Sequence, residues 1–326
     1  MAATEPEAGR PERRRAYAFG LDLDLSFPAP GLPEASGATG GRPARADLVE
    51  PGAIDRDWPA GEAEEVLAER FDDGAVARTI HAHPEAGYRL YARHFGLARL
   101  SPDGARIACS PPDVEPWSWQ RFLVGRILPW AAVLRGLEAF HASAVETGGR
   151  AVAFVGATGA GKTSLAIQLV GRGASFLTDD VLALERRGGV LWAHPGAGIA
   201  SVRPAERETI SGPIWERLGS VLGESGKTYL EVPRRDGPVP LAAVYYLRPG
   251  GDAAIEPFER PDPRLLLAST FVLGVRTPER LANQLDVCSA LARTVPVFWL
   301  RVDAGEGSAR LAAAVDDHVR ALEPVA

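Results

Sequence analysis

The segment Gly156-Ala157-Thr158-Gly159-Ala160-Gly161-Lys162-Thr163 matches G-x-x-x-x-G-K-[ST] at every fixed position. Its flanks narrow the fold further. Ala151 to Val155 is a continuous apolar run, the pattern of a strand buried on both faces. Lys162 to Gly171 has helical spacing, and Gly173 after Arg172 offers a C-cap. A buried strand entering a glycine-rich loop and a helix leaving it imply a layered α/β sheet. In such a loop successive N–H groups turn inward toward phosphate oxygens, and the helix adds its positive end. The candidate nucleotide contacts are therefore Gly156, Ala157, Thr158, Gly159, Ala160, Gly161, Lys162, Thr163 and Ser164. Lys162 supplies charge for the β- and γ-phosphates, and the Thr163 hydroxyl is a candidate Mg²⁺ ligand. The implied cofactors are ATP and Mg²⁺.

Asp179-Asp180 begins 17 residues past Lys162. One helix and one short strand, starting at Phe176-Leu177, fill that gap. The pair therefore falls at the C-terminal edge of a strand beside the loop, the edge where parallel sheets bind ligands. One carboxylate can hold Mg²⁺ while its neighbour accepts a proton from an attacking hydroxyl. The expected assignment is Asp179 as base and Asp180 as metal ligand or support for His141, although the two roles can be exchanged. A solvated acidic turn is the other reading of the pair.

Together His141-Ala142-Ser143-Ala144-Val145, the phosphate loop, Arg172-Gly173 and Phe176-Leu177-Thr178-Asp179-Asp180 resemble the catalytic domain of the HPr kinase/phosphorylase family. Gly196-Ala197-Gly198-Ile199-Ala200-Ser201-Val202-Arg203 is similar to that family's later glycine-rich segment. The resemblance spans about residues 125–326 and is strongest from His141 to Asp180. It implies a phosphoenolpyruvate-carboxykinase-like P-loop fold and transfer of the ATP γ-phosphoryl group to a serine or threonine hydroxyl of a peptide or small protein. It also implies catalytic roles for His141, Lys162, Asp179 and Asp180; a core histidine bonded to backbone is the other reading of His141. Arg203 is a candidate phosphate contact, because a guanidinium suits phosphate geometry; a surface ion pair is its other reading. The family's glutamate before the glycine-rich segment has no counterpart, since Ala193-His194-Pro195 stands there. The pattern looks closer to the shorter HPr-kinase-like proteins of peptide-modification systems, including kinases of lasso-peptide precursors. Gly226-Lys227-Thr228-Tyr229 resembles a lysine-bearing strand entry in those relatives, with an ordinary surface lysine as the alternative for Lys227. Two other functions share the loop chemistry: a small-molecule kinase, and a nucleotide-dependent switch protein without transfer.

With 326 residues the chain has room for about two domains. Residues 1–15 read as a disordered tail in which Arg13-Arg14-Arg15 is solvated. Residues 16–115 read as a small β-rich domain, with Tyr17 to Phe27 as a strand and short runs such as Tyr88-Arg89-Leu90-Tyr91 between turn residues. Pro111-Pro112 to Pro116 marks a boundary, and residues 116–326 form the α/β (α+β) kinase domain. There, Trp117 to Leu137 reads as a helix kinked near Pro129, and Ala139 to Glu146 as one strand carrying His141. The most apolar stretch, Phe122 to Phe140, is interrupted by Arg126 and Arg135, so no membrane span is expected. A net charge of −6 gives no case for nucleic-acid binding. Cys109 and Cys288 match no metal spacing or disulfide framework, and with no apolar signal segment the expected setting is a reducing cytoplasm. A homo-oligomer is left open.

Overall fold

Short apolar–polar alternations separated by glycine turns build the first sheet. The computed structural model describes residues 13–322 except 36, 38, 39, 251, 252, 272, 273 and 303–307. Its first strands are β1 (Arg14–Ala18), β2 (Leu21–Leu25), β3 (Arg42–Leu48), β4 (Glu64–Arg70), β5 (Val76–His83), β6 (Gly87–Ala92), β7 (Gly96–Leu100) and β8 (Arg106–Ser110). The short helix α1 (Ala53–Arg56) lies between β3 and β4. The strand order is β1-β2-β3-β8-β7-β6-β5-β4, which leaves β1 and β4 as edges. The β2–β3 and β3–β8 pairs are parallel, within an otherwise antiparallel sheet.

Two readings of this region are corrected. Tyr17 to Phe27 is a hairpin, not one strand, because Phe19 and Gly20 both adopt positive φ (54° and 76°) and reverse the chain. The basic run is not a free tail: Arg13 binds Asp24 and Asp47 at 2.6 Å each, and Arg14 opens β1. Residues 1–12 of that expected tail lie outside the described residues.

Trp117 to Leu137 is helical in three pieces. They are α2 (Pro116–Phe122), a π-helical turn (Leu123–Ile127) and α3 (Leu128–Leu134). The widened turn ends two residues before Pro129, whose missing N–H cannot serve an ordinary i→i−4 bond. The inward face of these helices (Leu123, Ile127, Leu128 and Ala131) packs on Leu21, Leu23, Leu90 and Leu100 of the first sheet. Ala139, Val181 and Ala183 of the following sheet join the same core.

The second sheet contains β9 (Glu138–Phe140), β10 (Ala142–Thr147), β11 (Arg150–Val155), β12 (Ser175–Thr178), β13 (Leu182–Arg187), β14 (Val190–His194), β18 (Val239–Pro249), β19 (Ala254–Pro257) and β20 (Val297–Val302). Its path is β12-β10-β11-β18-β14-β13-β9, with β20 beside β18 and β19 beside β20. A separate three-stranded sheet holds β15 (Ile199–Val202), β17 (Thr228–Glu231) and β16 (Ser220–Glu224). The short helices α5 (Pro204–Thr209) and α6 (Gly212–Arg217) link β15 to β16.

Both faces of β11 are covered, as its apolar run requires. Val152 and Phe154 meet α4 (Lys162–Gly171) and α9 (Ser308–Ala321). Ala151, Ala153 and Val155 meet α8 (Pro278–Thr294), which follows α7 (Pro263–Ala268). The expected strand Ala139–Glu146 is broken at His141: β9 pairs with β13, whereas β10 pairs with β11 and β12. No helix among the described residues is long and apolar enough to cross a membrane.

A polar network ties the first sheet to the second. Glu185 on β13 accepts from Arg42 of β3 at 2.7 Å and from Arg187, and it pairs with His194 Nε2 at 3.1 Å. His194 Nδ1 meets the Tyr17 hydroxyl at 2.6 Å. Burial acts to raise the Glu185 pKa, but hydrogen bonds from His194, Arg187 and Arg42 outweigh it and hold this carboxyl well below its usual range. Burial holds the His194 imidazole below its ordinary value despite Glu185. The two shifts act in one direction. A depressed carboxyl contributes stability above its unfolded value, about 4.3, and loses it as pH falls. The unfolded chain also protonates this histidine first, below about 6.5. Melting temperature should therefore fall between pH 7 and 4. Glu185→Gln should start lower at pH 7 and fall less, and parallel curves for the two proteins would remove the network from acid stability.

Candidate active site

The Gly156–Thr163 loop joins β11 to α4 at the C-terminal end of β11. Gly159 and Gly161 adopt φ of 86° and 94°, a region that strains any side chain. Space at Gly159 is also tight: a Cβ there would stand 3.1 Å from an Arg203 guanidinium nitrogen. Arg203, at the end of β15, thus lies over the loop. Lys162 is buried, and its ammonium donates to the carbonyls of Gly156 (2.8 Å) and Ala157 (3.2 Å). Burial pulls its pKa down while Asp180 and Asp179 push it up, and the net shift is downward. Ser164 is buried in the first turn of α4, and Ala160 closes a tight turn onto the Ala157 carbonyl.

Strand β12 runs alongside β10 and delivers Asp179-Asp180 to that same end. The two carboxylates face different surroundings. Asp179 Oδ1 accepts from the hydroxyls of Thr163 (2.8 Å) and Ser143 (2.6 Å), and Oδ2 from the Ser201 amide (3.3 Å). Desolvation, then the charge of Asp180, raises the Asp179 pKa to about 6, against the three hydrogen bonds. Asp180 is exposed and sits at φ 64°, so the chain turns sharply between the two side chains.

His141 lies at the β9–β10 break rather than within a strand paired to the loop strand. Its amide donates to the Ser269 carbonyl at 2.8 Å. Its ring Nδ1 lies 3.0 Å from the Asp180 carbonyl oxygen, which fixes Nδ1 as the protonated nitrogen. Phe271 stacks on the ring at 6.1 Å. Burial and the charge of Lys162 hold its pKa below the ordinary value, so the imidazole is neutral at pH 7.

His141, Thr158, Asp179, Asp180, Ser201 and Lys227 all line one cavity of about 590 Å³. Lys227 is not a lone surface lysine: its ammonium donates to Ser201 Oγ at 3.2 Å, which brings it beside the aspartates. The glycine-rich segment earns its glycines by packing. A Cβ on Gly196 would stand 2.1 Å from Thr178 Oγ1, and the Gly196 amide donates to Leu177 at the end of β12. His194 is fully buried in the Tyr17–Glu185 network.

Ser143 was missed as a site residue, although its alternation with Ala142 and Ala144 was a usable sign of a lone hydroxyl on a buried strand. The cavity's opposite wall, from β5, α2 and the π-helical turn, left no trace in sequence.

Among the described residues no group of three or more His, Cys, Asp or Glu side chains could hold a metal alone. That donor set still fits Mg²⁺, which is commonly held by one or two carboxylates, a hydroxyl, water and substrate phosphates. Thr163 with Asp179 provides such a pair.

No protein-family model matches this chain, and no curated protein does. Among solved structures it is similar to the HPr(Ser) kinase/phosphatase from Coxiella burnetii. The likeness has 12% identity, covers 56% of this chain and 95% of that one, and reaches a TM-score of 0.30.

Proposed function

We propose that this chain is an ATP-dependent phosphotransferase of the HPr-kinase-like type, with a phosphoenolpyruvate-carboxykinase-like P-loop fold, acting on a serine or threonine hydroxyl of a peptide or small protein. The observation that carries this reading is the 2.8 Å bond from Thr163 of the loop to Asp179 of the acidic pair. It links the phosphate-binding helix directly to a carboxylate, while the adjacent Asp180 is left facing the cavity.

These contacts favour an exchange of the expected roles. Both Asp179 oxygens are engaged by donors, so Asp179 with Thr163 suits Mg²⁺ better than it suits proton uptake. Asp180, exposed in the cavity, suits the general base. Bound Mg·ATP would supply the phosphoryl group and offset the charge around it. Lys162 would turn from its loop carbonyls to the phosphates, and Arg203 over Gly159 would meet them from the other side. His141 holds the Asp180 backbone through its Nδ1 proton and so orients the base. Asp180 would then take the proton of the acceptor hydroxyl as that oxygen bonds to the γ-phosphorus and the phosphorus–oxygen bond to the departing ADP breaks.

Lys162→Ala should weaken ATP binding and abolish transfer, because it removes the ammonium next to the phosphate site. Calorimetry with Mg·ATP and transfer of label from γ-labelled ATP to candidate peptides would measure both. Unchanged turnover in the variant would sink the P-loop assignment.

A further inference from the structure

The wall of the cavity opposite the aspartates is cationic and aromatic. Arg126 of the π-helical turn places its guanidinium 4.4 Å from the centre of the Phe271 ring, the ring that also stacks on His141. Arg121 of α2 is caged by Tyr229 (4.5 Å), Trp117 (5.0 Å) and Phe95 (5.3 Å). Neither guanidinium has a carboxylate within ion-pair distance among the described residues. Nearby Arg78, by contrast, is paired with Glu69. Arg121 Nε donates to the Ser118 carbonyl at 3.3 Å; the rings themselves hold a guanidinium without using its in-plane donors, so its remaining N–H groups stay available to a ligand.

Under the reading above, the nucleotide phosphates are served by Lys162, the loop amides and Arg203. Arg121 and Arg126 come from other elements and are surplus to that task. Asp180 and Glu69 act on Arg126 only from beyond ion-pair distance, and two cations without a direct carboxylate partner on one cavity wall draw an anion to it. A second cavity of about 350 Å³ adjoins the first and shares Phe122, Arg126, Phe271 and the paired Glu69 and Arg78 with it. Its other walls include Val66, Leu67 and Ile80. The combined space thus offers a base, then cations, then an apolar recess.

We propose that the acceptor is an acidic peptide segment, with carboxylates beside the phosphorylated residue bound by Arg121 and Arg126 and a neighbouring apolar side chain seated in the adjoining cavity. A peptide carries a hydroxyl, an acid and an apolar group at successive positions, which is the sequence of surfaces along the two cavities. This inference rests on the proposed kinase reading for the position of the hydroxyl, and its charge preference is testable without transfer.

The probes are two fluorescein-labelled serine peptide libraries, one with Asp/Glu flanks and one with matched Asn/Gln flanks, both carrying one leucine. Anisotropy measures binding to the full chain, and labelled ATP measures transfer. The acidic library should bind about 10- to 100-fold more tightly, the range expected for charge-assisted hydrogen bonds. In Arg126→Ala and Arg121→Ala that ratio should collapse toward one. Arg126→Gln, which keeps a long polar side chain, should do the same if the alanine variant fails to fold. Equal binding of the two libraries by the wild type, or an undiminished ratio in the folded variants, overturns the inference. So does displacement of the acidic library by free glutamate at the same concentration as by unlabelled acidic peptide, which would point to a small anion. Arginine-dependent acid preference with no transfer sinks the kinase reading and leaves the acidic segment as a bound ligand rather than an acceptor; transfer without acid preference keeps the kinase reading and overturns the acidic-segment inference.

Discussion

Asp180→Asn is expected to slow phosphoryl transfer by about 10²–10⁴-fold, the usual cost of removing a positioned base, while Mg·ATP affinity is retained. The substitution is well matched to the site. Asp180 sits at φ 64°, a left-handed conformation that asparagine adopts more readily than most residues. The backbone carbonyl that His141 binds therefore stays in place, and only the proton acceptor is lost. Asp179→Asn should behave differently. It removes the charge that Thr163 and Ser143 surround, so it should raise the Mg²⁺ concentration needed for nucleotide binding as well as lowering the rate. Nucleotide affinity at several Mg²⁺ concentrations, measured with transfer rate for both variants, separates the roles. If Asp179→Asn leaves the Mg²⁺ requirement unchanged and Asp180→Asn raises it, the exchange proposed here is wrong. The original order, base first and metal second, then holds.

Arg280→Ala should destabilise the fold by about 3–5 kcal/mol, the range for breaking a buried ion pair on one side. Arg280 Nη2 binds Glu138 Oε1 at 2.9 Å, and Nη1 binds Gln284 Oε1 at 2.6 Å. Gln284 in turn donates to Thr270 at 2.8 Å. Glu138 has no solvent exposure, and its Oε2 finds no partner among the described residues. Burial raises the Glu138 pKa to about 7 even with Arg280 opposing it. Without Arg280 it rises further, and the sign follows from linkage. A carboxyl with a raised folded pKa favours the fold below its unfolded value and loses that contribution as pH rises through the folded one. The loss in Arg280→Ala should therefore be larger at pH 8 than at pH 5. Denaturant melts at both pH values test this, and equal losses would contradict it. The network also anchors the site. Thr270 bridges to Phe140, and the amides of His141 and Phe271 bind Ser269 and Ala139. A milder Arg280 substitution that still folds should loosen His141 and lower activity without touching the nucleotide.

The division between the chain's two parts illustrates what patterning alone could reach. Pro111 to Pro116 reads as a boundary because prolines punctuate it. The helices after it nevertheless share one core with the first sheet, and Phe19 of the β1–β2 turn donates its amide to Pro195 beside the glycine-rich segment. Proline content signals a break in secondary structure; it carries no information about which apolar faces meet across that break. The same limit explains the Ala139–Glu146 reading. All eight residues suit a strand, and only the separate partners, β13 for one half and β11 with β12 for the other, make His141 a break.

What the sequence determined by itself is local. Gly156 to Thr163, the buried strand before it and the helix after it are contiguous, so loop chemistry and flanking periodicity define the candidate phosphate site without tertiary information. The placement of Asp179-Asp180 followed from counting one helix and one strand. Tertiary structure decided how the carboxylates divide, because Ser143, Thr163 and Ser201 come from three different elements and meet only at Asp179. It also decided that Lys227 belongs with the site and that Arg121 and Arg126 face it. Those side chains sit on segments whose patterns record only burial and period. Which residues converge on a cavity depends on how the sheets and helices pack against one another, and periodicity along the chain does not encode that packing.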